Sequence, residues 1–219
     1  MTGHELRRFD DAAGAAAAAA AFMAELVSQA VGDRGRGDVA VSGGRTPRPM
    51  FEALAGCGLA WGGVTIFQVD ERVAPDGDGS RNLTALAASL AAVPAVIEPM
   101  DVTAEDLDAA ADRYAGALPG RFDVVHLGLG ADGHTASLVP GDPVLDVADR
   151  LVALTQPYQE HRRMTLTYPG LARADVALWL VAGADKQQAI QQLLDGDTSI
   201  PAGRVEAARS VVFADAASL

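Results

Sequence analysis

Asp132 and His134 stand two residues apart in a glycine-rich turn, Gly128-Leu129-Gly130-Ala131-Asp132-Gly133-His134, that closes the apolar run Val124 to Leu129. An imidazole beside a carboxylate is the pairing of a general base and the group that orients it. Glycine at Gly130 and Gly133 lets backbone and ligand approach closely. The hydroxyls of Thr135 and Ser137 follow, but the chain holds no GxSxG elbow to make either a nucleophile. Gly128, Gly130 and Gly133 also spell GxGxxG after a strand, the spacing of a dinucleotide-binding turn. That motif needs a continuing helix to face pyrophosphate. Pro140, Gly141 and Pro143 leave room here for only about two turns of helix.

Two further clusters carry chemistry. Ser42-Gly43-Gly44-Arg45-Thr46 is a strand-to-helix turn whose N–H groups could cradle a phosphate, or simply make a tight turn. Asp70-Glu71-Arg72 ends a strongly apolar run with three charges, a pattern that marks a site more often than a solvated surface. Arg81 and Asn82 read as a helix-surface residue and a turn residue, with only modest weight on a functional role for either. Lys186 is the chain's only lysine among basic residues that are otherwise all arginine. A compact ammonium kept at the start of a helix suggests a specific donor.

These clusters need a scaffold that gathers them. A helix from about Asp11 to Val31, capped by Asp10 or Asp11, leads to a strand Asp38–Val41. Pro47 opens a helix through Leu54. The run Val64–Val69 is a strand, a helix begins near Arg81, and Val96–Met100 is a short strand. Thr103 starts an acid-rich helix to about Leu118, with Asp106 at capping-box spacing. Phe122–Leu127, Leu151–Leu154, Met164–Thr167, Val176–Val181 and Val211–Phe213 read as strands, and Ala184–Leu194 as a helix. The alternation predicts an α/β fold with a mostly parallel sheet and helices on both faces. In such a sheet the carboxyl ends of the strands share one edge, where ligands bind.

At 219 residues and 49% hydrophobic content, one domain spanning 1–219 is expected. The net charge of −12 argues against nucleic acid and requires that any phosphate be held by a local cluster of cations and N–H groups. The single Cys57 excludes an internal disulfide and a cysteine-based zinc site. His4, His126, His134 and His161 show no HExxH-like spacing, so no metal is expected. Ala12–Ala24 is too short to span a bilayer and too alanine-rich for a signal peptide core. A soluble, cytoplasmic chain with no membrane and no obligate protein partner is expected.

The motifs SGGRTP, VDERVAP followed by SRN, GLGADGHTASLVPG, HRRMTLTYP and GADK resemble, in order and spacing, those of the 6-phosphogluconolactonases, from about Val39 to Leu194. The resemblance implies a modified Rossmann-like α/β fold and hydrolysis of 6-phospho-D-glucono-1,5-lactone to 6-phosphogluconate, in the oxidative pentose phosphate pathway. It implies no redox cofactor and no catalytic metal. The related glucosamine-6-phosphate deaminases carry a glutamate five residues after the histidine, where this chain has Val139, and lack the arginine that is here Arg72. Phenylalanine is usual in lactonases at the Val139 position, a packing change.

On that resemblance, a neutral His134 takes a proton from the attacking water, while Asp132 orients the imidazole or contacts a sugar hydroxyl. Ser42, Gly43, Gly44, Arg45, Thr46, Lys186 and Arg163 are expected to hold the phosphate. Arg72 is open between phosphate and oxyanion, and Asp70, Gly130 and Gly133 complete the expected substrate site. An isomerase or deaminase, or a sugar-phosphate sensor without turnover, is the alternative.

Overall fold

The computed structural model describes residues 3–219; Met1 and Thr2, part of the expected 1–219 domain, lie outside the described residues. The chain runs β1 (His4–Phe9), α1 (Ala12–Arg34), β2 (Gly37–Val41), α2 (Arg48–Ala55), β3 (Val64–Gln68), β4 (Asp70–Arg72), α3 (Asn82–Ser89) and β5 (Val96–Glu98). It continues through α4 (Leu107–Ala117), β6 (Phe122–Leu127), β7 (Val152–Leu154), β8 (Arg163–Leu166), α5 (Tyr168–Leu171), β9 (Ala174–Val181), α6 (Gln187–Leu194) and β10 (Arg209–Asp215). Seven strands form one parallel sheet in the order β1-β10-β9-β6-β2-β3-β5. The central β2 and β6 are buried along their whole length, as strands covered on both faces must be.

Alternate residues of each strand feed two cores. Val39, Val41, Val124, Leu178 and Phe213 pack under α1, α2 and α3. Ala40, Val125, Leu127, Trp179 and Val212 pack on the other face with residues of α4, α6 and the β7–β8 hairpin. α1 lays Ala15, Ala16, Ala19, Ala20 and Met23 on the sheet, so alanine lets the helix axis approach closely. Asp11, not Asp10, caps it by accepting from the Gly14 N–H at 2.7 Å. The helix runs past Val31 to Arg34, where Gly35 at φ 75° closes it. At that length α1 is long and apolar enough to cross a bilayer, which the Ala12–Ala24 stretch alone did not suggest; 50% of its apolar window is buried within the fold.

Several local expectations are corrected. β1 was not expected, because HELRRF lacks an apolar alternation; it is held at the sheet edge by parallel pairing with β10. The run ending in Asp70-Glu71-Arg72 is two strands. The chain leaves the parallel sheet at Val69, and β4 pairs antiparallel with β8 in a second sheet, β4-β8-β7. α4 begins at Leu107 rather than Thr103, because Asp106 serves as its N-cap and accepts from Ala109 N–H at 2.9 Å. The helix allowed after His134 does not form; that segment is a chain of tight turns through Gly141.

Candidate active site

A cavity of about 220 Å³ opens where the carboxyl ends of β2, β6 and β9 meet the small antiparallel sheet. Of the sequence-predicted residues, Ser42, Gly43, Gly44, Arg45, Thr46, Asp70, Arg72, Gly130, His134, Arg163 and Lys186 all line it. Asp132 and Gly133 do not. Asp132 sits behind His134, its Oδ1 2.5 Å from His134 Nδ1 and 3.2 Å from the His134 N–H. In the neutral imidazole Nδ1 then carries the proton that Asp132 accepts, and Nε2 the lone pair. Partial burial would raise the Asp132 carboxyl, but the hydrogen bonds and charge of His134 outweigh it and hold it below the usual range.

The turn is pinned by its own backbone. Gly130 N–H donates to His134 O at 2.8 Å, and Gly133 N–H to Gly130 O at 3.0 Å. Gly133, at φ +79° and pressed against Ile200, serves this turn rather than the cavity wall. Thr135 Oγ1 donates to Gly128 O at 2.9 Å and Ser137 Oγ to Asp70 Oδ2 at 2.6 Å, so neither hydroxyl is placed as a nucleophile.

On the opposite wall, Gly43, Gly44, Arg45 and Thr46 offer four consecutive backbone N–H groups with no protein partner among the described residues. Gly44 reaches φ +109°, which a side chain rarely tolerates. The Arg45 side chain is exposed and unpaired, and Lys186 Nζ rests 3.0 Å from Asp185 Oδ2. This is a loop with free backbone donors flanked by two cations, suited to an oxyanion ligand.

The third wall is buried and internally hydrogen-bonded. Asp70 is 5% exposed; burial raises its carboxyl above the usual range, opposed by the Ser137 hydroxyl and by Arg163. Arg163 is 4% exposed and reaches Ser137 Oγ, Tyr158 O and Gln159 Oε1 at 3.5, 3.5 and 3.4 Å. Arg72 donates one guanidinium N–H to Ser80 O and keeps its other donors for the cavity. Glu71, fully buried, is an anchor rather than a ligand contact. It accepts from Gln68 Nε2, Arg72 N, Asn82 N and Leu83 N at 2.7–2.9 Å, with Arg81 3.6 Å away.

Asn82, read from the sequence as a turn residue of modest functional weight, lines the cavity and donates to Asp70 O at 3.0 Å. Two residues escaped sequence reasoning. His126 lies hidden in an apolar run, fully buried under the SGGRT turn with both ring nitrogens unpartnered and its ring 5.8 Å from Phe51. Burial pushes its pKa down to about 3, so it is neutral. Tyr158 carries no sequence signal at all. Among the described residues no cluster of histidine, cysteine and carboxylate side chains could hold a metal ion.

A family model for glucosamine-6-phosphate isomerases/6-phosphogluconolactonase matches residues 10–213. A 6-phosphogluconolactonase of Synechocystis sp. is 40% identical over 182 residues, 76% of this chain and 75% of its own. One from Pseudomonas putida is 38% identical over 205 residues, covering 89% and 84% of the two chains. The crystal structure of a 6-phosphogluconolactonase from Shewanella baltica superposes with a TM-score of 0.89 at 27% identity, over 97% of this chain and 98% of that one. A monomeric glucosamine-6-phosphate deaminase, at TM-score 0.87 but 16% identity, shares the fold.

Proposed function

The chain belongs to the glucosamine-6-phosphate isomerase/6-phosphogluconolactonase family, and we propose that within it this enzyme hydrolyses 6-phospho-D-glucono-1,5-lactone. Its relatives are lactone hydrolases by name, and so is the reaction class of this chain. The observation that carries the choice of chemistry is the Asp132–His134 pair, with its free Nε2, at a cavity whose wall holds Arg45, Arg72, Arg163 and Lys186. Val139, 8% exposed, occupies the place where a deaminase would need its glutamate.

In this reading His134 Nε2 removes a proton from water as the water oxygen bonds to the lactone carbonyl carbon. The carbonyl electrons move onto oxygen, and the resulting imidazolium is stabilised by Asp132. The oxyanion is assigned to Arg72, which lines the cavity and spends only one guanidinium N–H on Ser80 O. Collapse breaks the bond from that carbon to the ring oxygen, which takes the proton back from His134. The acid then ionises to 6-phosphogluconate. The SGGRT turn, Arg45 and Lys186 hold the phosphate, and no cofactor takes part.

The test forms the lactone in situ with glucose-6-phosphate dehydrogenase and follows 6-phosphogluconate with its own dehydrogenase, subtracting spontaneous hydrolysis. His134→Ala is expected to lower kcat about 10²–10⁴-fold with a smaller change in KM. Lys186→Ala is expected to raise KM and leave kcat nearly intact. Wild-type turnover from His134→Ala would remove the general base. Binding of 6-phosphogluconate with no turnover by wild type would make the chain a sensor.

A further inference from the structure

The tip of the β7–β8 hairpin bends back over the catalytic pair. Tyr158 and His161 close a two-residue turn, with Tyr158 N–H on His161 O at 2.9 Å and His161 N–H on Tyr158 O at 3.3 Å. Its two central residues, Gln159 and Glu160, lie at φ 48° and 69°. Such a turn asks for positive φ at both positions and is ordinarily filled by Asn, Asp or Gly. Two longer side chains held there cost free energy, and outliers of this kind gather where geometry is constrained for function.

What the turn holds in place is Tyr158. Its ring stands edge-on to the His134 imidazole, centroids 5.7 Å apart at 66°. Its hydroxyl lies 3.5 Å from Asp132 Oδ2, the carboxylate oxygen that His134 does not use. The Arg163 guanidinium covers its other side, with Cζ 5.1 Å from the ring centroid. Gln159 Nε2 donates to the phenol oxygen at 3.3 Å while Gln159 Oε1 accepts from Arg163. One aromatic ring thus joins the acid–base pair to a buried arginine of the cavity wall.

We propose that Tyr158 is a positioning residue for the reaction, its ring fixing the plane of His134 and its hydroxyl fixing Asp132. This rests on the general-base reading of His134. The apo hydroxyl contact is long, and catalytic hydrogen bonds commonly tighten once substrate is bound. Asp132, Arg163 and the Gln159 amide face the phenol, and Asp132 and Tyr158 face His134. Arg45, Asp70, Arg72 and Lys186 complete the charged groups around the cavity. The phenol is neutral: burial and then the Asp132 charge push it above its ordinary value. As a donor it draws on the Asp132 charge, so its loss leaves Asp132 a stronger partner for the imidazolium and makes His134 more basic.

The test is steady-state lactone hydrolysis across pH by wild type, Tyr158→Phe, Tyr158→Ala, Asp132→Asn, the Tyr158→Phe/Asp132→Asn double variant and His134→Ala, with thermal unfolding of each. Tyr158→Phe is expected to unfold as wild type does, lower kcat about 3- to 10-fold with KM within about twofold, and move the acid limb of kcat/KM to higher pH. Tyr158→Ala is expected to lose about 10- to 100-fold in kcat, because the imidazole loses its wall. In the Asp132→Asn background the effect of Tyr158→Phe should shrink below about twofold, since paired residues are not additive. An unchanged pH profile and kcat in Tyr158→Phe, or an equal loss in both backgrounds, overturns the proposal. If His134→Ala is dead while Tyr158→Phe matches wild type, only the positioning role falls. If His134→Ala turns over normally, the general base falls with it.

Discussion

Gly130→Ala should displace the Asp132–His134 pair, the acid–base pair proposed above, while leaving the fold standing. A Cβ on Gly130 would lie 2.1 Å from His134 Nδ1, 2.3 Å from its Cε1 and 2.6 Å from Asp132 Oδ1. Ordinary contact is about 3.5 Å, so the imidazole must retreat by roughly 1.4 Å and the carboxylate by roughly 0.9 Å. The three nearest atoms all belong to the far ends of two side chains, and Gly130 does not occupy the left-handed region, so the backbone conformation accepts alanine. A displacement of about 1 Å in a reacting group costs on the order of 10²-fold in rate. Stability should change by less than about 1 kcal/mol, since Gly→Ala at a compatible position slightly restrains the unfolded chain. Gly133→Ala is the contrast. It combines φ +79° with a Cβ 2.5 Å from Ile200 Cβ, so its loss must appear in thermal unfolding first. The assay is kcat for lactone hydrolysis beside the unfolding midpoint of each variant. Gly130→Ala with kcat within about threefold of wild type would refute the reasoning, because it would show a second productive position for the imidazole.

Other consequences follow from buried charge. His126 is buried and held to about 3, whereas an unfolded histidine titrates near 6.5. The unfolded state therefore takes up the proton first, so this contribution is intact above pH 6.5 and is lost as pH falls from there toward 3, reaching on the order of 2 kcal/mol by pH 5. His126→Leu, which also removes two unpartnered nitrogens, should flatten the stability profile between pH 6.5 and 5 in urea titrations; an unaltered slope would dismiss the assignment. Glu71→Ala strands the N–H groups of Arg72, Asn82 and Leu83 and should cost about 3–5 kcal/mol in the same assay. A loss under about 1 kcal/mol would mean that water replaces the carboxylate.

The elements that announced themselves were those whose local pattern and tertiary role agree. Phe122–Leu127 is apolar because β6 is buried on both faces, and the glycines after it are there because a turn and a close approach need them. The Asp132–His134 pair lies within three residues and could be read from one line of sequence. β1 could not: Glu5 and Arg8 are exposed, Arg7 lies over the Phe22 ring, and only pairing with β10 makes HELRRF a strand. Nor could the change of sheet at Val69, since Val64–Val69 looks continuous, and it is the partner β8, almost a hundred residues later, that draws Asp70–Arg72 away. Asn82, His126 and Tyr158 owe their places to contacts across 12, 85 and 26 residues or to burial, which no local spacing encodes.

The change of sheet also resolves a difficulty posed by composition. A chain of net charge −12 repels a phosphorylated substrate at long range, yet beyond about 8 Å that repulsion is screened at physiological ionic strength. Inside that distance the cavity lining sets four cations, Arg45, Arg72, Arg163 and Lys186, against one lining carboxylate, Asp70, with Asp185 beside Lys186 and Asp132 behind His134. A parallel sheet alone would not gather them: β2 contributes the SGGRT turn and β9 leads to Lys186, but Arg72 and Arg163 are cross-strand partners in the antiparallel sheet. Two arginines opposite one another repel, and the pairing survives because Asp70, Ser137 and Tyr158 surround Arg163 while Ser80 O and the Glu71 anchor fix β4. Asp70 is thereby best understood as the counter-charge that allows two guanidinium groups to be fixed beside each other before substrate arrives. The favourable field is built in advance, and the reacting lactone does not have to reorganise it.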